Sequence, residues 1–275
     1  MKIARFNNDR IGVIRGGEIV DVTAAADAQP GAWPPVAMNR LIANFAEYRG
    51  KLERAAASGK GLPLSGVKLQ TPIPWPNKVI AYPVNYHEHG LEMGSSYRAN
   101  NQGFFLKPPS SLSGPADPIV LPVNAGRRID HECELALIVG KEGRDIPREN
   151  WREHVFGYSC LIDAVIRGPE ERVTRKGFDT FCPVGPRVVA LDWRTLSIVT
   201  RVNGAERQRG ASSDMIFSIP RLVAHVSAIM TLEPGDLIAT GTPAGVGRLA
   251  PGDVVEVEIP GIGILSNHVA AQESS

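Results

Sequence analysis

Glycine and proline punctuate this chain so often that long helices have little room. Gly contributes 28 and Pro 22 of the 275 residues, about 18% together, against roughly 12% in average usage. Proline removes a backbone donor, and glycine loosens the interior of any helix or strand. A chain cut this finely folds as short strands joined by turns, with few helices. Its core must be assembled from many separate pieces. Hydrophobic residues make up 43%, enough for such a core and too many for a disordered chain.

The pattern divides the chain in two. Residues 2–6 and 11–15 alternate, and Arg15-Gly16-Gly17-Glu18 turns into Ile19-Val20-Asp21-Val22, which predicts a β-hairpin unit. Residues 38–57 carry helical periodicity through Leu41, Ile42, Phe45, Tyr48 and Leu52. The proline-dense connector Thr71-Pro72-Ile73-Pro74-Trp75-Pro76-Asn77 then places a boundary. We read 1–70 as a small N-terminal α+β domain and 71–275 as a larger, mainly β domain. In the second, short strands are predicted over 78–82, 103–107, 134–139, 158–165, 188–191, 197–203 and 254–259, with one amphipathic helix over 219–230.

Charge excludes several partners. Lys+Arg 30 against Asp+Glu 29 leaves a net +1. Such a chain has no global field for nucleic acid or an anionic membrane. No apolar run approaches the roughly 18 residues of a membrane span. The first residues lack a signal-peptide core, so a cytoplasmic protein is expected. Cys133, Cys160 and Cys182 are an odd set without CxxC spacing, read as reduced, buried small hydrophobes.

The chemistry must therefore be local. Glu132 and Glu134, in Asp130-His131-Glu132-Cys133-Glu134, are two apart, so a strand puts both on one face. Crowded carboxylates repel unless a cation lies between them, and all-oxygen ligation suits Mg²⁺, Mn²⁺ or Ca²⁺. The competing reading is a solvated strand edge. Asp163 lies inside the apolar run Tyr158-Ser159-Cys160-Leu161-Ile162-Asp163-Ala164-Val165-Ile166. Burying an unpaired carboxylate there is expensive. It is either a third ligand or the salt-bridge partner of Arg167. His89 and Glu92 stand at i, i+3, where a helical turn lets a carboxylate orient an imidazole as a general base. Otherwise they belong to a polar surface loop. Thr240-Gly241-Thr242-Pro243-Ala244-Gly245-Val246-Gly247 offers backbone N–H groups and a hydroxyl to a carboxylate, or is an ordinary turn. Lys176 is a substrate-facing cation or a surface lysine.

Taken in order, these segments resemble the fumarylacetoacetate hydrolase family. The resemblance runs over 78–269. It rests on Asn85-Tyr86-x-x-His89-x-x-Glu92, Phe105-x-Lys107-Pro108, Asp130-x-Glu132-x-Glu134, Gly157-Tyr158 through Asp163 to Arg167, Lys176-x-Phe178-Asp179, Pro183-x-Gly185-Pro186, Pro234-Gly235-Asp236 and Thr240-Gly241-Thr242-Pro243. It implies a mixed β-roll, β-sandwich-like catalytic core with short helices, assembled as a homodimer. It implies Glu132, Glu134 and Asp163 as ligands of Mg²⁺ or Mn²⁺. His89, Glu92 and Lys176 become catalytic, with His89 and Glu92 on a lid segment, and Arg167, Glu170, Thr242 and Tyr86 substrate-binding. The implied activity is metal-dependent hydrolysis of a carbon–carbon bond in a 2,4-dioxo acid or related 1,3-dicarbonyl, in aromatic or sugar-acid catabolism. The same scaffold also hosts isomerases and decarboxylases of unsaturated 2-oxo dicarboxylic acids, and a non-catalytic metabolite-binding relative is a further alternative.

The chain departs from the family pattern after Arg167. Gly168 replaces an aspartate, and Glu170 replaces a glutamine that often contacts substrate. An anion at 170 is expected to disfavour a second substrate carboxylate unless a cation neutralises it.

Overall fold

A computed structural model describes residues 1–94, 103–123 and 126–273. Its strands form sheets of twelve, five and three. Ten strands of the large sheet run Gly61–Pro63, Glu18–Asp21, Arg10–Arg15, Lys2–Phe6, Cys182–Val189, Val155–Ile162, Cys133–Val139, Leu237–Ala239, Val79–Ala81, Phe105–Lys107, and off this path Leu69–Gln70 pairs with Lys2–Phe6 and Leu112–Ser113 with Cys182–Val189. Its neighbours along this path are antiparallel except Val79–Ala81, which runs parallel to Leu237–Ala239. The five-stranded sheet runs Ala205–Ala211, Ser197–Val202, Val254–Ile259, Gly263–Ala271, Ile119–Leu121. This is the mixed, mainly β architecture that the punctuation predicts.

Strand Cys133–Val139 is buried on both faces. Its alternation sends Cys133, Leu135, Leu137 and Val139 into one core with Ile198, Val257 and Leu265 of the five-stranded sheet. Ala136 and Ile138 enter the other core, with Ile3, Ile11, Leu41 and Leu52 of the N-terminal segment. Each fully buried Leu or Ile contributes roughly 1.5–3 kcal/mol, so this strand is firmly pinned. Lys2–Phe6 pairs with Cys182–Val189 through Lys2↔Val189 and Ile3↔Val188. The connector at 71–77 separates the two segments in sequence, while sheet and core run across it.

The helical stretch at 38–57 is two helices, Ala37–Ala43 and Phe45–Ser58. They part at Asn44, whose side-chain amide donates to the Arg40 carbonyl at 3.0 Å, a local bond that competes with helix continuation. Ala205–Ala211 was not anticipated as a strand, because only Gln208 among its charged and polar residues is buried. The three cysteines are free and buried, and burial pushes their thiols up, Cys182 to about 12. Among the described residues, no helix is long and apolar enough to cross a membrane.

Candidate active site

Two adjacent strands bring the acidic residues together. Glu134 lies within Cys133–Val139, Glu132 just precedes it, and Asp163 just follows Val155–Ile162. The register pairs Cys133 with Ile162, and the Asp163 N–H donates to the Glu132 carbonyl at 2.7 Å. All three carboxylates are buried, with one oxygen from each within 4.8 Å of the others.

Two buried lysines meet this cluster. Lys107 Nζ donates to Asp163 Oδ1 at 2.6 Å and to the Lys176 and Phe181 carbonyls at 2.6 and 3.4 Å. Lys176 Nζ donates to Glu132 Oε2 at 2.6 Å and also to Asp163 Oδ2. Arg167 is not the salt-bridge partner of Asp163. It pairs with Asp130 Oδ2 at 2.8 Å and with Glu132 Oε1 at 2.9 Å, across the antiparallel ladder that joins Ile129–His131 to Val165–Ile166.

The charges are unevenly met. Burial pushes the Glu132 carboxyl up, but Lys176, Arg167 and His89 outweigh it and hold it below the usual carboxylate range. Glu134 goes the other way. Burial raises it and the Asp163 charge raises it further, while Lys176 and a 2.6 Å bond from the Gly241 N–H do not offset them. A buried carboxylate so poorly compensated, converging with two others, fits a hard divalent cation. Lys176 is held protonated against its burial by Asp163, Glu132 and Glu134.

His89 and Glu92 share the short helix His87–Glu92. His89 Nδ1 lies 3.2 Å from Glu92 Oε2, and Glu92 Oε1 accepts the Gly245 N–H at 3.0 Å. With Glu92 ionised, the proton sits on Nδ1, which leaves Nε2 as the basic nitrogen. Asn85 anchors the helix entry. Its fully buried amide donates to the Phe217 and Thr240 carbonyls at 3.0 and 2.7 Å and accepts the Phe217 N–H at 2.6 Å.

The glycine-rich segment does bind a carboxylate, but the protein's own: Gly241 holds Glu134 and Gly245 holds Glu92. Gly241 has φ +97°, and a Cβ there would stand 2.6 Å from Asn85 Cβ. Gly241→Ala is expected to cost about 1–3 kcal/mol and to weaken divalent-cation affinity, read by thermal melts with and without Mn²⁺. Wild-type behaviour in both would mean that this turn does not set Glu134.

A cavity of about 290 Å³ opens beside the triad, lined by His89, Glu132, Arg167, Arg172, Arg175 and Lys176 with Pro83, Val84, Met93, Phe105 and Gly168. Three residues expected at the substrate are not among those lining this cavity. Glu170 is exposed and paired with Arg127 at 2.7 Å. The Thr242 hydroxyl donates to the Cys133 carbonyl and accepts from Gln208. Tyr86 is buried, and its hydroxyl has no hydrogen-bond partner among the described residues.

Sequence reasoning missed the roles of Lys107, Asp130 and Gln208. Lys107 stood in the Phe-x-Lys-Pro segment without a role. Gln208 holds His131 Nδ1 at 3.1 Å and the Thr242 hydroxyl at 2.7 Å, from a strand whose sequence reads as solvated.

The profile of the fumarylacetoacetate (FAA) hydrolase C-terminal domain matches residues 78–270. The chain belongs to the fumarylacetoacetate hydrolase family. It is an enzyme acting on carbon–carbon bonds, in the sense that family members are hydrolases, isomerases or decarboxylases. Among family members, the maleylpyruvate hydrolase of Aquipseudomonas alcaligenes is 38% identical over 97% of this chain and 98% of its own. Oxaloacetate tautomerase YisK of Bacillus subtilis is 41% identical over 75% of this chain and 74% of its own. The crystal structure of maleylpyruvate hydrolase from Sphingobium sp. SYK-6, in complex with manganese(II) ion and pyruvate, superposes with TM-score 0.92. That match has 48% identity and covers 99% of this chain and 100% of that one.

Proposed function

We propose that this enzyme is a divalent-metal-dependent hydrolase that cleaves a carbon–carbon bond of a 2,4-dioxo acid of the maleylpyruvate type. The observation that carries the reading is the oriented imidazole: His89, tethered by Glu92, lines the same cavity as the carboxylate cluster. The similarity to maleylpyruvate hydrolases over nearly the whole chain supports it.

Glu132, Glu134 and Asp163 would hold Mn²⁺ or Mg²⁺. When bound, such a cation polarises the carboxylate and oxo oxygens of a 2-oxo acid. The side chains do the rest. His89 Nε2 takes a proton from water while Glu92 stabilises the imidazolium. The water oxygen adds to the distal carbonyl carbon, and the bond between that carbon and the methylene breaks. Its electron pair passes to the pyruvate enolate, whose charge faces Lys176 and Arg167 at the cavity wall. The proton on His89 returns to the methylene carbon, giving pyruvate and a second acid. We assign this enzyme to the cytoplasm and to a homodimer.

A second reading, tautomerisation or decarboxylation of a 2-oxo dicarboxylic acid, is favoured by the similarity to an oxaloacetate tautomerase. His89→Ala separates hydrolysis from decarboxylation. Hydrolysis of maleylpyruvate with Mn²⁺ is expected to fall roughly 10²-fold or more, whereas cation-assisted decarboxylation needs no base. Wild-type protein that leaves maleylpyruvate and acetylpyruvate untouched but turns over oxaloacetate would replace the first reading with the second.

A further inference from the structure

A side chain in the left-handed region of backbone space crowds its own peptide groups, and a β-branched one crowds them most. Among the described residues that carry a side chain there, most are Asn or Asp, whose short polar groups tolerate it. Two are β-branched, Thr180 and Val84. Thr180 has a use for its hydroxyl, which accepts the Val120 N–H at 2.8 Å. Val84, with φ +50°, has only two methyl groups to offer. Glycine would take the same turn without strain.

The chain on either side enforces this conformation. Before it, the Tyr82 N–H donates to the Ala239 carbonyl at 3.2 Å, and the Tyr82 hydroxyl meets His225 Nδ1 at 2.7 Å. After it, the Asn85 carbonyl accepts the Ile216 N–H at 2.8 Å, beside the three bonds of the buried Asn85 amide. The ring of Pro83 fixes its own φ, so the turn between these anchors falls on Val84. Strain of this kind persists where the surroundings over-determine it, and it gathers at ligand sites. Val84 stands at such a place. With Pro83, Met93 and Phe105 it forms apolar lining of the cavity that His89, Glu132 and Lys176 also line.

We propose that Val84 is a specificity-determining residue whose isopropyl group packs against the carbon chain of a 2-oxo acid beyond its oxo carbon. The turn itself needs only glycine, so the strain is explained by what the valine side chain adds to the wall. Glu132 and Lys176 join the cavity to the carboxylate cluster, which suits the charged end of such an acid. The apolar lining is left for the chain. Taking apolar chain out of water favours binding in proportion to the area covered. The wall therefore discriminates by length, favouring longer 2-oxo acids over pyruvate. The inference rests on the reading of this cavity as the substrate site.

The test uses full-length protein with Mn²⁺ and two ligands, pyruvate and 2-oxopentanoate, with dissociation constants from calorimetry. The longer acid should bind the wild type at least about tenfold more tightly. Val84→Gly should cut that ratio to about threefold or less, with pyruvate affinity held within about twofold. Melts of the metal-free protein test the strain. Val84→Gly should melt about 2–4 °C above Val84→Ala. This reverses the usual order, because alanine keeps the left-handed strain and glycine releases it. Equal affinity of the wild type for the two acids, or an unchanged ratio in Val84→Gly, would overturn the wall. Alanine melting above glycine would overturn the strain that motivates it. Failure of both acids to bind would remove the substrate-site reading and the wall together. The binding arm needs no turnover. A protein that shows the ratio, loses it in Val84→Gly and yet hydrolyses no acylpyruvate would sink the hydrolase reading and leave the role of Val84 standing.

Discussion

Replacing Glu134 by Gln is expected to raise the melting temperature of the metal-free protein by about 2–4 °C while its activity collapses. The gain follows from the unmet charge at this position. Burial and the neighbouring Asp163 raise the Glu134 carboxyl well above its ordinary value. A carboxyl raised in the folded state favours the unfolded chain once pH exceeds its unfolded value. An amide carries no such charge and still accepts from the Gly241 N–H. The advantage of Glu134→Gln should therefore grow as pH rises above the ordinary glutamate range and shrink as pH falls toward it. The loss follows from the same change. A neutral amide is a poor ligand for a hard cation, so the Mn²⁺-induced rise in melting temperature should largely disappear. Polarisation by such a cation is worth several kcal/mol, so turnover should fall on the order of 10³–10⁴-fold. Melts from pH 5 to 8 with and without Mn²⁺, beside activity assays, test both halves. A less stable metal-free variant, or one with a normal Mn²⁺ response, contradicts this account.

Lys107→Met is expected to give the largest loss of stability, about 3–5 kcal/mol, or roughly a 10 °C drop. Lys107 is buried and gives its three hydrogen bonds to Asp163, the Lys176 carbonyl and the Phe181 carbonyl. Methionine fills the volume but leaves the Asp163 Oδ1 without its lysine partner and two carbonyls without a donor. Adding Asp163→Asn should recover part of the loss, since the two residues are directly coupled. Mn²⁺ should recover part as well, by supplying the missing positive charge. A melting temperature within 2 °C of wild type would show that Lys107 does not balance the cluster.

The sequence exposed the acidic part of this site because its logic is local. Glu132 and Glu134 declare themselves by spacing, His89 and Glu92 by one helical turn, and Asp163 by its cost in an apolar run. The cationic part was less legible because its logic is tertiary. Lys107 meets Asp163 only after Phe105–Lys107 joins the edge of the large sheet. Arg167 offered Asp163 as a partner four positions away, yet the ladder between Ile129–His131 and Val165–Ile166 delivers it to Asp130. Glu170 follows a family position toward substrate, but a neighbouring arginine takes its carboxylate, which only the folded loop reveals. The strand Ala205–Ala211 went unseen because its one inward side chain, Gln208, is polar. In the fold, glycine and proline marked the turns well, whereas the break at Asn44 involves neither.

The first strand of the chain has a protective consequence. The outer edge of Cys182–Val189 meets Leu112–Ser113 at one end and Lys2–Ile3 at the other. Without Lys2–Phe6, the N–H and C=O groups at Val188 and Val189 would lie open beside a buried apolar strand, a template for pairing with other chains. The N-terminal residues thus close this edge of the catalytic sheet to strand pairing. A chain begun at the connector would keep every residue of the site and leave this edge uncovered.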